Sequence, residues 1–173
     1  GLNEVHTFSA GTGVPIQRFG AVAGPGISSE IDAGLAHYNN ESRVATLYST
    51  SGHVLGTLAA ANNALGYSSV FENGTHYFLY NAATTAMRRF RKSDLGLDFT
   101  WTNPILSNTY LQWDVTTANR AGQFQMVLAD RFSNRISFVN ALNGGAQQYS
   151  LSGVSSITGL ATGHANGVYT SVT

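Results

Sequence analysis

The groups with which this chain could do chemistry are few: five histidines, nine carboxylates, a single lysine (Lys92) and no cysteine. A zinc or catalytic centre needs two or three convergent ligands. The histidines (His6, His37, His53, His76 and His164) form no His-x-Glu-x-x-His pattern and no close pair. No metal ligand and no cofactor is therefore assigned. The carboxylates are scattered too. Glu30, Asp32 and Asp114 are the ones that a shared inner strand position could bring together. Glycosidase chemistry asks for two carboxyl groups roughly 5 to 10 Å apart, whereas isolated carboxylates anchor loop amides. No catalytic residue is assigned. The basic run Arg88-Arg89-Phe90-Arg91-Lys92 alternates along a strand and reads as a solvated face. The remaining candidates are aromatic residues beside polar side chains in Tyr48-Ser-Thr-Ser-Gly-His53, Tyr80-Asn-Ala-Ala-Thr-Thr85 and Asp130-Arg-Phe-Ser-Asn134. A ring for stacking plus a few oriented donors suits the face of a sugar. On that ground Tyr48, His53, Tyr80, Asn81, Arg131, Phe132 and Asn134 are the expected ligand-binding residues.

Composition narrows the partners. Lys+Arg and Asp+Glu number 9 each, and charged residues are 10% of the chain against 43% apolar. Zero net charge provides no footprint for nucleic acid. No run of about 18 apolar residues exists to span a membrane as a helix. At 173 residues the chain suits one domain, residues 1–173, with a core that needs no disulfide. Its polarity comes from Ser, Thr, Asn, Gln and Gly, which leans towards a secreted, extracellular protein. Asn40-Glu-Ser42 and Asn73-Gly-Thr75 are sequons, explicable either as turn chemistry or as glycosylation sites.

What must position these residues is a repeat. Three internal copies read as apolar strand, polar turn, apolar strand: Ser42–Leu55, Thr75–Phe90 and Gln123–Phe138. A fourth appears when Gly167–Thr173 runs on into Gly1–Phe8. The markers Phe8, Leu55, Phe90 and Phe138 are spaced by 47, 35 and 48 residues, and by 43 across the termini. These steps approach the roughly 40–45 residues of a four-stranded propeller blade. Weakly apolar inner segments precede each copy (Ile31–Ala36, Tyr67–Phe71, Tyr110–Val115, Ile157–Ala161), followed by Asn-rich turns that favour hairpins. No segment keeps a 3.6-residue apolar period. The predicted fold is all-β: a single four-bladed β-propeller of four-stranded antiparallel blades, its last blade closed by the N- and C-terminal strands Glu4–Phe8 and Val168–Val172. Such a latch avoids unpaired sheet edges.

Val127-Leu-Ala-Asp-Arg-Phe-Ser-Asn-Arg-Ile-Ser-Phe-Val139 resembles the core of NHL-type propeller repeats. The resemblance implies a propeller fold, and such families include sugar-lactone hydrolases, a peptide-processing lyase and many binding modules. It also implies a structural role for Asp130, holding turn amides. The expected function is a secreted, non-catalytic, lectin-like propeller binding a glycan or other neutral ligand on one rim. Two alternatives stand beside it: a hydrolase or lyase with its site at the central channel mouth, using Glu30, Asp32 or Asp114, and a protein-interaction platform.

Overall fold

The computed structural model describes residues 4–9, 11–20, 26–59, 67–81, 86–102, 110–120, 123–130, 134–155, 157–162 and 168–172. Among them all regular structure is strand, with no helix. Three four-stranded sheets follow one another in the chain. The first contains β3 (Gly26–Ile31), β4 (Gly34–Asn39), β5 (Val44–Ser49) and β6 (Val54–Ala59). The second contains β7 (Tyr67–Glu72), β8 (His76–Asn81), β9 (Ala86–Arg91) and β10 (Leu97–Thr102). The third contains β11 (Tyr110–Arg120), β12 (Gln123–Asp130), β13 (Arg135–Asn140) and β14 (Ala146–Ser150). Two hairpins flank them: β1 (Glu4–Phe8) with β2 (Pro15–Gly20), and β15 (Ile157–Thr162) with β16 (Val168–Val172).

Every described pairing is antiparallel and joins strands consecutive in the chain. Between sheets, the first strands meet in succession, β3 on β7, β7 on β11 and β11 on β15. They are therefore the inner strands, and the sheets stack face to face around a common axis as blades.

Alternation explains why these sequences bury both faces of a blade. In β8, Phe78 and Tyr80 point to one side, and Tyr77 and Leu79 to the other; all four are buried. The seam between the first and second blades is filled by Tyr38, Leu47 and Leu58 against Val70, Tyr77, Leu79 and Phe90. The next seam sets Phe78, Met87 and Trp101 against Met126, Leu128, Val139 and Ala141. The third blade meets the C-terminal hairpin through Val127, Ala129, Ile136, Phe138 and Ile157.

The turn from third to fourth strand is the most regular device in the chain. In β9–β10 the Arg91 amide donates to the Gly96 carbonyl and the Leu95 amide to Arg91. Asn140, Gly144 and Gly145 repeat this in β13–β14, and Ser9, Gly13 and Val14 repeat it in β1–β2. The closing residue is left-handed each time: φ is 57° at Leu95, 78° at Gly144 and 67° at Gly13. Glycine adopts that conformation without steric cost, which explains its presence in two of the three. Register agrees, since a bulge follows the first pair of this hairpin in β1–β2, β5–β6 and β9–β10. The N-terminal hairpin thus carries the turn found between third and fourth strands, and in the C-terminal hairpin β15 meets β11 as the first strands of successive blades meet.

Two sequence expectations change. Ser42–Leu55 was expected to hold the second and third strands of its blade, but it holds the third strand, β5, and the turn into the fourth. The second strand is Gly34–Asn39, overlapping the end of what the repeat read as the inner segment, Ile31–Ala36. With that shift the equivalent third-strand positions are Phe8, Tyr48, Phe90 and Val139, and the intervals become 40, 42 and 49 residues. The expected ladder between Glu4–Phe8 and Val168–Val172 is not among the described pairings: β1 pairs with β2, and β16 with β15.

Candidate functional site

The antiparallel order gives the ring two rims. Turns after first and third strands lie on one; turns after second strands lie on the other. This separates the residues expected to bind a ligand. Tyr48 ends β5 and His53 lies in the β5–β6 turn, on the first rim. Tyr80 and Asn81 end β8, and Asn134 precedes β13, on the second. Arg131 and Phe132 lie outside the described residues, as do the loop between β8 and β9 and His164.

Nor are the aromatic rings presented for stacking. Tyr48 is 3% exposed and Tyr80 0%; Tyr80 fills the seam between the second and third blades. Asn134 adopts φ 53° and donates from Nδ2 to the Val154 carbonyl, tying a turn. The two sequons also part. Asn40 lies between β4 and β5, while Asn73 lies between β7 and β8 on the opposite rim. Asn73 Oδ1 accepts the Thr75 and His76 amides at 2.9 and 2.8 Å.

The first rim gathers charge at the seam between the first two blades. Lys92 Nζ is 2.7 Å from Glu72 Oε2 and 3.4 Å from Asp32 Oδ2. The other Glu72 oxygen accepts the Asp32 amide. The Lys92 ammonium also sits 5.1 Å from the centre of the Tyr77 ring. Three turns supply these groups: β3–β4 gives Asp32, the end of β7 gives Glu72, and the start of the β9–β10 turn gives Lys92. Burial works against the lysine's charge, but the Glu72 and then the Asp32 carboxylates outweigh it and hold its pKa above the ordinary value. Burial chiefly raises the Tyr77 hydroxyl, so it stays protonated. Glu72 is largely covered, whereas the Asp32 side chain is 84% exposed. Asp32 is therefore a solvent-facing carboxylate 3.4 Å from a fixed cation, and Glu30 is exposed one turn of the pleat away on the inner strand β3.

A second network lies on the outer half of the second blade. Asp98 takes Arg89 Nε at 2.7 Å and stands 3.3 Å from His76 Nε2. The Arg89 hydrogen bond holds the Asp98 carboxyl below the usual range. Arg91 is bound to Asp94, and Arg89 lies over the Phe99 ring. Arg91 is thus engaged within its own blade, and Arg89 both there and, through the Leu142 carbonyl, with the next. Among the described residues no group of three or more His, Cys, Asp or Glu side chains could hold a metal ion.

Sequence reasoning missed Glu72, Lys92 and Tyr77 because they meet only across three strands of the second blade, where Asp32 joins them from the first. His37 lies within β4 and is buried, with Nδ1 2.8 Å from Ser28 Oγ. Burial lowers its pKa. The native state then resists a proton that the unfolded chain accepts near pH 6.5. Its contribution is fully present above about pH 6.5 and is lost as pH falls below it. Denaturant unfolding at pH 7.5 and 5.5 should give the lower midpoint at 5.5, and His37→Asn should flatten the difference.

No protein-family model matches the chain, and no curated protein matches it. Solved structures do. A streptogramin B lyase superposes with a TM-score of 0.73 at 11% identity, covering 98% of this chain and 55% of that one. A catalytically inactive histidine-to-alanine variant of virginiamycin B lyase from Staphylococcus aureus, with quinupristin, superposes at 0.66 and 13%, covering 98% and 53%. The WD40 propeller domain of Doa1 gives 0.62 and 10%, covering 92% and 51%. The chain spans about half the length of these matches. The lectin-like reading is corrected on two grounds: the similar structures include lyases, which are enzymes, and the residues assigned to sugar binding are buried or divided between rims. At identities this low the likeness is one of fold, and the fold it shows is the β-propeller.

Proposed function

We propose that this chain contributes to an enzyme of the hydrolase or lyase type, acting at the channel mouth on the rim that carries Asp32, Glu72 and Lys92. The observation that carries the reading is the pairing of an exposed carboxylate with a fixed ammonium at the end of the inner strands. An exposed Asp32 is placed to take a proton from a substrate carbon or water. Lys92, kept charged by Glu72, is placed to stabilise negative charge developing on a carbonyl oxygen. The likeness to lyases over nearly the whole chain supports this choice above a binding module. The hydroxyl-rich, lysine-poor composition supports an extracellular setting. We further propose that the strands amount to four blades, the fourth being represented by its inner half, β15–β16, and its outer half, β1–β2.

Incubation with quinupristin and a panel of esters and cyclic peptides, read by mass spectrometry, tests the activity. Ring opening by elimination leaves the substrate mass unchanged, whereas hydrolysis adds one water. Asp32→Asn should lower kcat/KM by about a hundredfold or more. Absence of turnover by the intact fold, or full activity in Asp32→Asn, would overturn the reading.

A further inference from the structure

Given that Asp32 and Lys92 act on the substrate, the reading on which this step rests, we propose that Glu72 is the residue that positions both. From one side chain its two carboxylate oxygens hold the Asp32 turn and the Lys92 ammonium together across the seam of the first two blades.

Alternation brings the carboxylate to that place. In β7, Phe71 packs into the seam with the third blade, whereas Val70 packs into the seam with the first. Glu72, two residues beyond Val70, therefore leaves the strand on the side of the first blade, at the rim. The turn opposite is short. Ile31 pairs with Gly34, so Asp32 and Ala33 make the whole connection between β3 and β4. The Asp32 amide donates to one Glu72 oxygen, and Lys92 Nζ stands 2.7 Å from the other. Both oxygens thus face protein groups, and the Glu72 side chain is 13% exposed against 84% for Asp32. Glu72 is placed to orient the reacting groups rather than to touch a substrate.

A second bond fixes the seam beside it. Ser29 Oγ of β3 accepts the Val70 amide of β7 at 3.0 Å. The inner strands are fastened reciprocally: a β3 side chain to the β7 main chain, and a β7 side chain to the main chain just after β3. Ser29 fastens the blades without charge, and Glu72 alone adds the cation. Among the described residues the groups facing the Lys92 ammonium are Glu72, Asp32 and the Tyr77 ring, and Glu72 is the nearer carboxylate. Neutralising or shortening Glu72 leaves Asp32 and Lys92 in the chain but no longer fixed against each other.

Lys92 is the only lysine, so acetylation of its amine by acetic anhydride can be followed at one peptide by mass spectrometry. Glu72→Gln should speed that acetylation about tenfold at neutral pH, the effect of one pKa unit. Ser29→Ala loosens the same seam with no change of charge and should leave the rate within about twofold of wild type. With a substrate that is turned over, Glu72→Gln and Glu72→Asp should each lower kcat about a hundredfold while KM stays within about threefold, because the reacting groups are present but displaced. Glu72→Asp keeps the charge and serves where Glu72→Gln does not fold. An unchanged Lys92 rate in Glu72→Gln overturns the proposal, as does wild-type kcat in either variant. An equal rise in Ser29→Ala also overturns it, since Glu72 would then merely fasten the blades. If the wild-type chain turns over no substrate, the reading of the site fails, and the acetylation rates alone decide whether Glu72 holds the pair.

Discussion

Trp101→Ala is expected to lower the stability of the chain by about 3–5 kcal/mol, the usual cost of emptying a large aromatic site in a core. Tyr149→Ala, at the equivalent position of the next blade, is expected to cost under about 1 kcal/mol, as a half-exposed substitution should. The contrast follows from cover, not chemistry. Trp101 is packed among Phe78, Met87, Val139 and Ala141, and Gly144 faces its ring so closely that an added Cβ would stand 2.9 Å from it. Tyr149 meets the Phe138 ring edge-on at 5.6 Å. Denaturant unfolding measures both. Equal losses at the two positions would show that blade seams do not hold the fold together.

Lys92→Met should destabilise by about 1–3 kcal/mol, less than a fully buried pair because the lysine retains some exposure. Methionine keeps the stem over Tyr77 but leaves the largely covered Glu72 carboxylate without its cation. The double variant Lys92→Met, Glu72→Gln should regain most of the loss, since no uncompensated charge then remains. The pH dependence has a definite sign. A folded pKa above the unfolded value of about 10.4 gives stability fully present below that pH and lost as pH rises through the folded value. Unfolding midpoints of wild type and the two variants between pH 7 and 11 check the whole set.

Much of the architecture was legible because propeller strands advertise their period. Thr75–Phe90 and Gln123–Phe138 hold the second and third strands of their blades as read, and Glu4–Phe8 and Val168–Val172 are strands. The first blade was indexed one strand out, for a physical reason. Asn side chains close turns by accepting amides two and three residues on, and that device serves different turns here. Asn39 accepts the Glu41 and Ser42 amides after a second strand, Asn73 those of Thr75 and His76 after a first, and Asn140 that of Leu142 after a third. Local turn chemistry therefore cannot number strands. The unequal spacing of 35 residues between Leu55 and Phe90 was the visible symptom.

The site was less legible. Tyr48 and Tyr80 read as loop aromatics, but period-2 alternation also turns them inward, and their 3% and 0% exposure shows which prevailed. Lys92 looked like the end of a basic strand. Its role appears only when β3, β7 and β9 bring Asp32 and Glu72 beside it across two blades, a contact spanning 60 residues of sequence for Asp32. Isolated carboxylates acquire meaning in this fold through such non-local juxtaposition.

Amide hydrogen exchange along β1 and β16 tests the proposed fourth blade most directly. If these strands are the third and second of one blade, their outward-facing amides should be protected to the level of β13 and β12. Exchange at the rate of an open sheet edge would contradict the account.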